Sequence, residues 1–487
     1  MKISRSYLAI IVLLTVMIFP GCEDWLETLP PDGLVKEEYW QNKEDVESTL
    51  MGAYQGFANM DELLFLYGEL RADMIVEDNN MVQDERLVKN GDIFPDNKMC
   101  DWSPFYEIIN YCNNVIEYAP AVMDNDPTFT EFDMEGYRSE AKALRALAYF
   151  YLVRVFKDVP LITEPSDNDD VDFFLTKTDG DTILSRMKEE LKDARLKLRN
   201  DYGNESENRG RITQSAADAI LSDICLWNFE YEESLVYLNN IINSGRYFLQ
   251  PTIRWFEIYN PGNTYEGIFE LQFNQQNNQG NTLYRNTYQR DYYQASLYAR
   301  EILLPELSGE NVRGKGSMST ESIGYKVWKY CGGAPDQRTL RPGSSNRSAN
   351  WIMYRYADIL LMKAEALSQL GQYEEALGLI NDIRTRALMP PAEIAFTAED
   401  FEEAILLERA KELAYEGKRW FDLMRMGRRN NYTNKEKLIE IIIENVSSTR
   451  RLILASKLTN PNGWYYPVKD TEIESNPNIE QNPYYEN

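Results

Sequence analysis

RYADILLMKAEALSQLGQYEEALGLINDIRTRA, residues 355–387, is followed after a short linker by LLERAKELAYEGKRWFDLMRMGRR, residues 406–429. In the first piece Tyr356, Ile359, Leu360, Ala364 and Leu367 recur at the three- and four-residue steps that place them on one helical face. Gly371 breaks the run, and Ala376, Ile380, Ile383 and Ala387 line a second face. The pattern predicts a helical hairpin whose small Ala364 and Ala376 let the two helices approach closely. A hairpin of this kind builds a surface for holding something rather than a reaction centre.

Gly371, Tyr373 and Ala376 match the second half of a tetratricopeptide unit. Sliding the chain by 142 positions lays Tyr231-Glu232-Glu233-Ser234-Leu235 on Tyr373-Glu374-Glu375-Ala376-Leu377, with Ser222 on Ala364, Leu238 on Ile380 and Ile241 on Ile383. Two matched hairpins so far apart predict a mainly α fold, an interrupted tetratricopeptide-repeat scaffold with members at about 139–156, 212–245, 355–388 and 400–427. Phe401 to Met426 reads as one helix, as do Ser139 to Phe156, Asp45 to Phe57, Phe105 to Tyr118 and Thr182 to Leu198. Between Tyr247 and Asn350 helical periodicity fails, and this span with the C-terminal tail is expected to form an irregular, loop-rich half carrying a few short strands, among them Gly267–Phe273 and Tyr325–Tyr330. Loops of that length on a rigid scaffold are where binding groups are expected.

At the amino terminus Lys2 and Arg5 precede an apolar run from Leu8 to Phe19, then Gly21 and Cys22. Twelve residues are too few to span a bilayer as a mature helix. The pattern predicts a lipoprotein signal over residues 1–21, acylation of Cys22, and a single domain over 22–487 that is anchored to a membrane rather than crossing it. Net charge is −27 over the whole chain, and loss of Lys2 and Arg5 makes it more negative. Such a surface argues against nucleic acid or anionic lipid headgroups and favours a neutral or cationic ligand, although a local basic pocket would still hold an anion. The chain has no histidine, which removes Ser-His-Asp and Cys-His catalysis and His-ligated zinc together. Cys100, Cys112, Cys225 and Cys331 have no zinc spacing and read as buried free thiols, with up to two disulfides as the other possibility.

Three constellations bear on function. Glu408, Glu412 and Glu416 fall at four-residue spacing beside Arg409, Lys411, Arg419, Asp422 and Arg425; paired carboxylates also serve glycosidases, but arginines in this number predict an ion-pair network. The run Asp167-Asn168-Asp169-Asp170-Val171-Asp172 lacks the glycine and terminal glutamate of an EF-hand loop and reads as a solvated turn, and Asp179-Gly180-Asp181 as a turn and helix cap. FNQQNNQGNTLYRNTYQRDYYQASLYAR, residues 273–300, sets Tyr284, Tyr288, Tyr292 and Tyr293 among Asn274, Gln275, Gln276, Asn277, Asn281 and Arg285. Sugars offer apolar C–H faces and dense hydroxyl edges, so flat aromatics bordered by amides and guanidinium suit a glycan. Trp328, Trp102, Asp73, Asn79 and Asn80 are further candidates for the same site.

The sequence resembles the SusD/RagB family of outer-membrane nutrient-binding lipoproteins. The resemblance is carried in order by CEDWLETLPPDG and EEYWQNKEDVESTLMGAYQGF, then SEAKALRALAYFYLVRVFKDVPLI, RITQSAADAILSDICLWNFEYEESLVYLNNIINSGRYFL, RYADILLMKAEAL, ERAKELAYEGKRWFDL and YYPVKDTEIESNPNIEQNPYY. It implies capture of an oligosaccharide or polysaccharide without chemical change, no cofactor, and delivery to a SusC-type TonB-dependent β-barrel. It also implies an outer-membrane location facing the cell exterior, with Glu23 and Asp24 resembling a surface-export signal. The alternative is a tetratricopeptide-type scaffold for a protein or peptide on the outer membrane. A glycoside hydrolase would rest only on the glutamate pairs.

Overall fold

The computed structural model describes residues 39–77, 80–166, 174–307, 311–320, 324–334, 336, 338–444 and 446–486. The signal segment, Cys22, Glu23, Asp24, Asn79 and the acidic run 167–172 lie outside the described residues. No helix among the described residues is long and apolar enough to cross a membrane.

The quoted hairpin forms as the helices Tyr356–Gln369 and Tyr373–Arg386. Its upstream copy forms as Gln214–Trp227 and Tyr231–Asn243. Ala364, Ala376, Ser222 and Ser234 are all buried where paired helices meet. Ser234 keeps its hydroxyl satisfied by donating to the Ser222 carbonyl at 3.0 Å. The turn between helices needs one left-handed residue. In the second hairpin it is Gly371, with φ +74°, and in the first Phe229 occupies the matching place at φ 63°. The Tyr231–Asn243 helix packs directly on Tyr356–Gln369, so the two hairpins stack although more than a hundred residues separate them. This geometry is consistent with tetratricopeptide stacking.

Upstream, Lys43–Asn59, Ser103–Asn125, Glu131–Phe156 and Gly180–Ala194 extend the helical half, and consecutive members pack on one another. Asp179 caps the last of these by accepting from the Thr182 amide. The single helix expected from Phe401 to Met426 is instead two, Ala398–Glu412 and Arg419–Tyr432. Between them the chain turns through Tyr415 (φ 65°) and Gly417 (φ 70°). A Cβ on Gly68, in the helix Asp61–Glu69, would lie 1.9 Å from the Gly417 carbonyl oxygen, so this turn meets the helix backbone to backbone.

Strands are few. Ile75–Glu77 pairs antiparallel with Tyr293–Ala295, and Gly267–Leu271 pairs antiparallel with Trp351–Arg355. Tyr325–Tyr330 does not form the expected strand; Lys326 and Val327 make only isolated bridges to Gln294 and Met318. Cys100, Cys112, Cys225 and Cys331 are buried free thiols.

The two halves are joined by a charge network with almost no solvent access. Arg355, at the end of the second strand pair, donates to Glu266 at 2.6 Å, to Glu412 at 2.7 Å and to both oxygens of Glu416 at 2.8 and 2.9 Å. Lys329 meets Glu416 at 2.7 Å, and Arg313 meets Glu306 and Glu408 at 2.6 Å each. Arg386 bridges Glu266 and Glu412. Thus Glu408 and Glu412 lie on one helix as the spacing predicted, whereas Glu416 sits in the turn beyond it. Burial pushes the Glu412 carboxyl up, but Arg386, Arg355 and Arg313 outweigh that and hold it well below the usual carboxylate range. An acid of that kind, fully buried and saturated by guanidinium groups, is not a proton donor for glycoside cleavage. A second network joins Arg409 to Asp358 and Asp422, and Arg425 to Glu365.

Candidate ligand-binding face

The loop-rich half is fastened to the helical half before it presents any group to solvent. Asp61, opening its helix, accepts from the Thr282 amide at 2.6 Å and the Thr282 hydroxyl at 2.9 Å. The Asn286 amide donates to Glu62 at 2.5 Å, and the Asn281 amide donates to the Ala349 carbonyl at 2.6 Å. Asn281 is therefore a buried anchor rather than a ligand group. Burial pushes the Asp61 carboxyl up to about 6, against the pull of the Thr282 donors. These ties fix a π-helical turn, Arg285–Gln289, which carries Tyr288.

Tyr284, Tyr288 and Trp328 come together. Ring centroids are 5.7 Å apart for Tyr284 and Tyr288 and 6.2 Å for Tyr288 and Trp328. They form a small cluster of their own with Cys331, apart from the main core. Tyr284 and Trp328 are its buried floor, and Tyr288 is the half-buried ring above them. Tyr292 is also half-buried, packed edge-on against Tyr293 at 6.1 Å. Tyr293 itself is buried against Phe65 at 5.2 Å, and burial raises its hydroxyl pKa.

Three cations frame these rings. The Lys326 ammonium lies 4.8 Å above Tyr288 and 3.4 Å from Asp291. Arg290 donates to the Tyr292 hydroxyl at 2.8 Å, and Arg300 lies 4.2 Å over the ring of Tyr325, a residue the sequence did not single out. Asp291 and Tyr325 both have left-handed backbones, with φ 55° and 54°. Strain of this kind at non-glycine positions tends to collect where groups are held for a ligand. Arg285 is half-buried beside Tyr288 on the same turn, its side chain donating to Asn286 at 3.3 Å.

Other expected site residues are placed elsewhere. Asp73 is buried and bound at both oxygens by Arg419, each at 2.8 Å, because an unpaired carboxylate there would carry a large desolvation penalty. Trp102 is buried against Tyr106 and Phe156, at 6.0 and 5.6 Å, and lines a largely apolar pocket of about 300 Å³ with Ile162, Phe174 and Ile479. It does not join the tyrosine face. Asn80 is exposed beyond Ile75–Glu77, the strand that pairs with Tyr293–Ala295. Among the described residues Cys225, Glu230 and Glu233 have metal-like spacing, but the Lys188 ammonium already meets both glutamates at 2.6 and 3.0 Å.

Known proteins match this arrangement along nearly its full length. Residues 258–485 match the model of the SusD family, and residues 24–226 match a family model described as starch-binding associating with outer membrane. SusD-like protein P38 of Formosa agariphila is 26% identical, covering 99% of this chain and 100% of the relative. SusD-like protein P25 of the same organism is 25% identical over 86% of this chain and 89% of its own. Among solved structures, a SusD superfamily protein from Bacteroides vulgatus shares the fold with a TM-score of 0.77 at 22% identity, over 92% of this chain and 100% of that one. A structure named surface glycan-binding protein A, from Bacteroides uniformis, has a TM-score of 0.72 at 21% identity, over 91% and 100%. With the helical scaffold, its order of elements and both family models in agreement, the chain belongs to the SusD/RagB family.

Proposed function

We propose that the chain is a cell-surface lipoprotein, anchored through acylated Cys22, that captures an oligosaccharide or polysaccharide unchanged and delivers it to a SusC-type TonB-dependent barrel. The observation that carries this is the fastened tyrosine face, where Tyr288 and Tyr292 reach solvent over a buried floor and stand beside Arg290, Lys326 and Arg285. Rings supported in this way stack on sugar C–H faces with little loss of side-chain freedom, while the cations and amides meet hydroxyl edges. Binding strength then comes from a few stacked units, and release follows when the barrel cycles beneath the protein. The glutamate pairs give no route to bond cleavage, since arginines saturate them in the core.

Titration calorimetry against a panel of glycans tests capture: heat with at least one polysaccharide, lost in Tyr288→Ala with Tyr292→Ala, is the expected result. No heat with any would sink the proposal. Purification from outer membranes in mild detergent tests delivery, which fails if no β-barrel accompanies the protein.

A further inference from the structure

The charge of the loop-rich half runs against that of the chain. Residues 273–349 contain ten lysines and arginines against six aspartates and glutamates, a net +4 inside a protein of −27. The difference is sharper in how the arginines are used. In the helical half Arg384, Arg386, Arg409, Arg419, Arg425 and Arg429 each hold a carboxylate. Among the described residues of 273–349 Arg313 alone does so, in the buried network. Arg285, Arg290, Arg300, Arg338, Arg341 and Arg347 have no carboxylate partner among the described residues. Arg341 and Arg347 are spent on backbone carbonyls. The other four reach solvent, and two of them, Arg290 and Arg300, lie on the tyrosine face, Arg300 with one N–H given to the Ala295 carbonyl at 3.0 Å.

In so acidic a chain, guanidinium groups left without carboxylates on one face keep a positive local field that the rest of the surface lacks. Of the acidic groups facing this region, Asp291 pairs with Lys326, Glu77, opposite Tyr293 across the strand pair, pairs with Arg86 at 2.9 Å, and Glu62 accepts from the Asn286 amide, while Glu85 is buried beneath Tyr293. The cations also lie on the rings themselves, Lys326 on Tyr288, Arg290 on Tyr292 and Arg300 on Tyr325. Each platform therefore offers apolar surface and positive charge together. A neutral sugar accepts hydrogen bonds from these cations at its hydroxyls but leaves their charge unmatched; a sugar ring bearing a carboxylate or sulfate matches both ring and charge, and the planar guanidinium suits either oxyanion bidentately.

We infer that the polysaccharide taken at this face is anionic, carrying carboxylate or sulfate groups along its chain. The inference rests on the reading that the face binds a glycan, and goes on to name its class.

The full-length mature protein would be tested by calorimetry and affinity electrophoresis against polygalacturonate and alginate as uronates, carrageenan as a sulfated galactan, and methyl-esterified pectin, agarose, xylan and starch as neutral chains. The expected result is binding to at least one acidic chain about tenfold or more tighter than to any neutral one, weakening by about tenfold between 50 and 500 mM NaCl as screening sets in. The uronate and sulfate arms identify which oxyanion is read. Arg290→Gln with Arg300→Gln should weaken that binding about tenfold or more without shifting the melting temperature. Binding to a neutral chain, indifferent to salt and to these substitutions, overturns the anionic class while leaving glycan capture standing. Binding to no polysaccharide of either kind overturns both.

Discussion

Replacing Arg355 by methionine should destabilise the protein by about 3–5 kcal/mol, the usual range for removing one partner of a buried ion pair. The guanidinium has no solvent exposure and donates to Glu266, Glu412 and both oxygens of Glu416, as well as to the Glu412 carbonyl. Its loss does not strip these carboxylates bare. Glu416 keeps Lys329 and the Tyr259 hydroxyl at 3.0 Å, while Glu412 keeps Arg313 and Arg386. What remains is one uncompensated charge with no access to water, and the cheapest relief is a proton on one of the glutamates. Arg355 and Lys329 hold Glu416 below the usual carboxylate range against burial, so in the wild type this group contributes stability above its unfolded pKa and loses it as pH falls. In the variant the balance tips toward burial, native Glu416 takes up a proton more readily than the unfolded chain, and stability falls as pH rises. The deficit should therefore be larger at pH 8 than at pH 5. Adding Glu416→Gln removes the excess charge and should recover part of the loss as a coupling energy. In a chain of this length each kcal/mol moves the melting temperature by only about one degree, so urea unfolding at several pH values is the better assay. A loss below about 1 kcal/mol, unchanged with pH and not relieved by the second substitution, would refute the account of the network as a mutually compensated set.

Burial pushes the Glu69 carboxyl up to about 8 from 4.5, so its stabilising contribution is full below 4.5, declines as pH climbs and is gone above 8. Glu69→Gln keeps an acceptor for the Gly417 amide and should gain on the wild type by up to about 1.4 kcal/mol per pH unit across that window; a constant difference in urea unfolding would exclude this. Asp61→Ala removes the acceptor for both Thr282 donors and should cost about 1 kcal/mol while raising amide exchange across 283–292, read by hydrogen–deuterium mass spectrometry; unaltered exchange there would mean the tie is dispensable. Gly371→Ala meets no atom within 4 Å and should cost only about 1 kcal/mol for its left-handed backbone, whereas Gly68→Ala forces apart the contact with Gly417 and should cost several times more. Equal losses on thermal melting would contradict that contrast.

Helical periodicity made the scaffold readable because every hairpin buries one face and exposes the other. Tyr356, Ile359 and Leu360 repeat at helical steps for that reason. Trp351–Arg355 escaped notice because all five residues are buried, so the alternation that marks a half-exposed strand is missing. The break after Glu412 was hidden by apolar residues that keep helical spacing across it, with Gly417 as the one cue. At the ligand face the tyrosine-rich segment was legible from composition, but composition does not separate a ring that faces solvent from one that supports it. Tyr293 and Trp328 have the same side-chain chemistry as surface platforms and differ only in what packs over them. Asp73 looked like a surface carboxylate because its partner, Arg419, lies more than three hundred residues away in sequence. The basic character of 273–349 was present in the letters and concealed by averaging over a chain of −27.

The direct packing of Tyr231–Asn243 on Tyr356–Gln369 has a consequence for how such proteins diversify. Since the two hairpins close on each other across the inserted span, that span is free to lengthen, shorten or be exchanged without opening the stack. The limits on exchange lie where the segment is tied to its surroundings: Arg313 and Lys329 must survive to answer Glu408, Glu412 and Glu416, Thr282 and Asn286 must meet Asp61 and Glu62, and Tyr293–Ala295 must keep its pairing with Ile75–Glu77 and its buried ring against Phe65. Grafting a foreign 273–349 segment that keeps those positions should transplant specificity while the host retains its stability, making the insertion a cassette and the buried charges its socket.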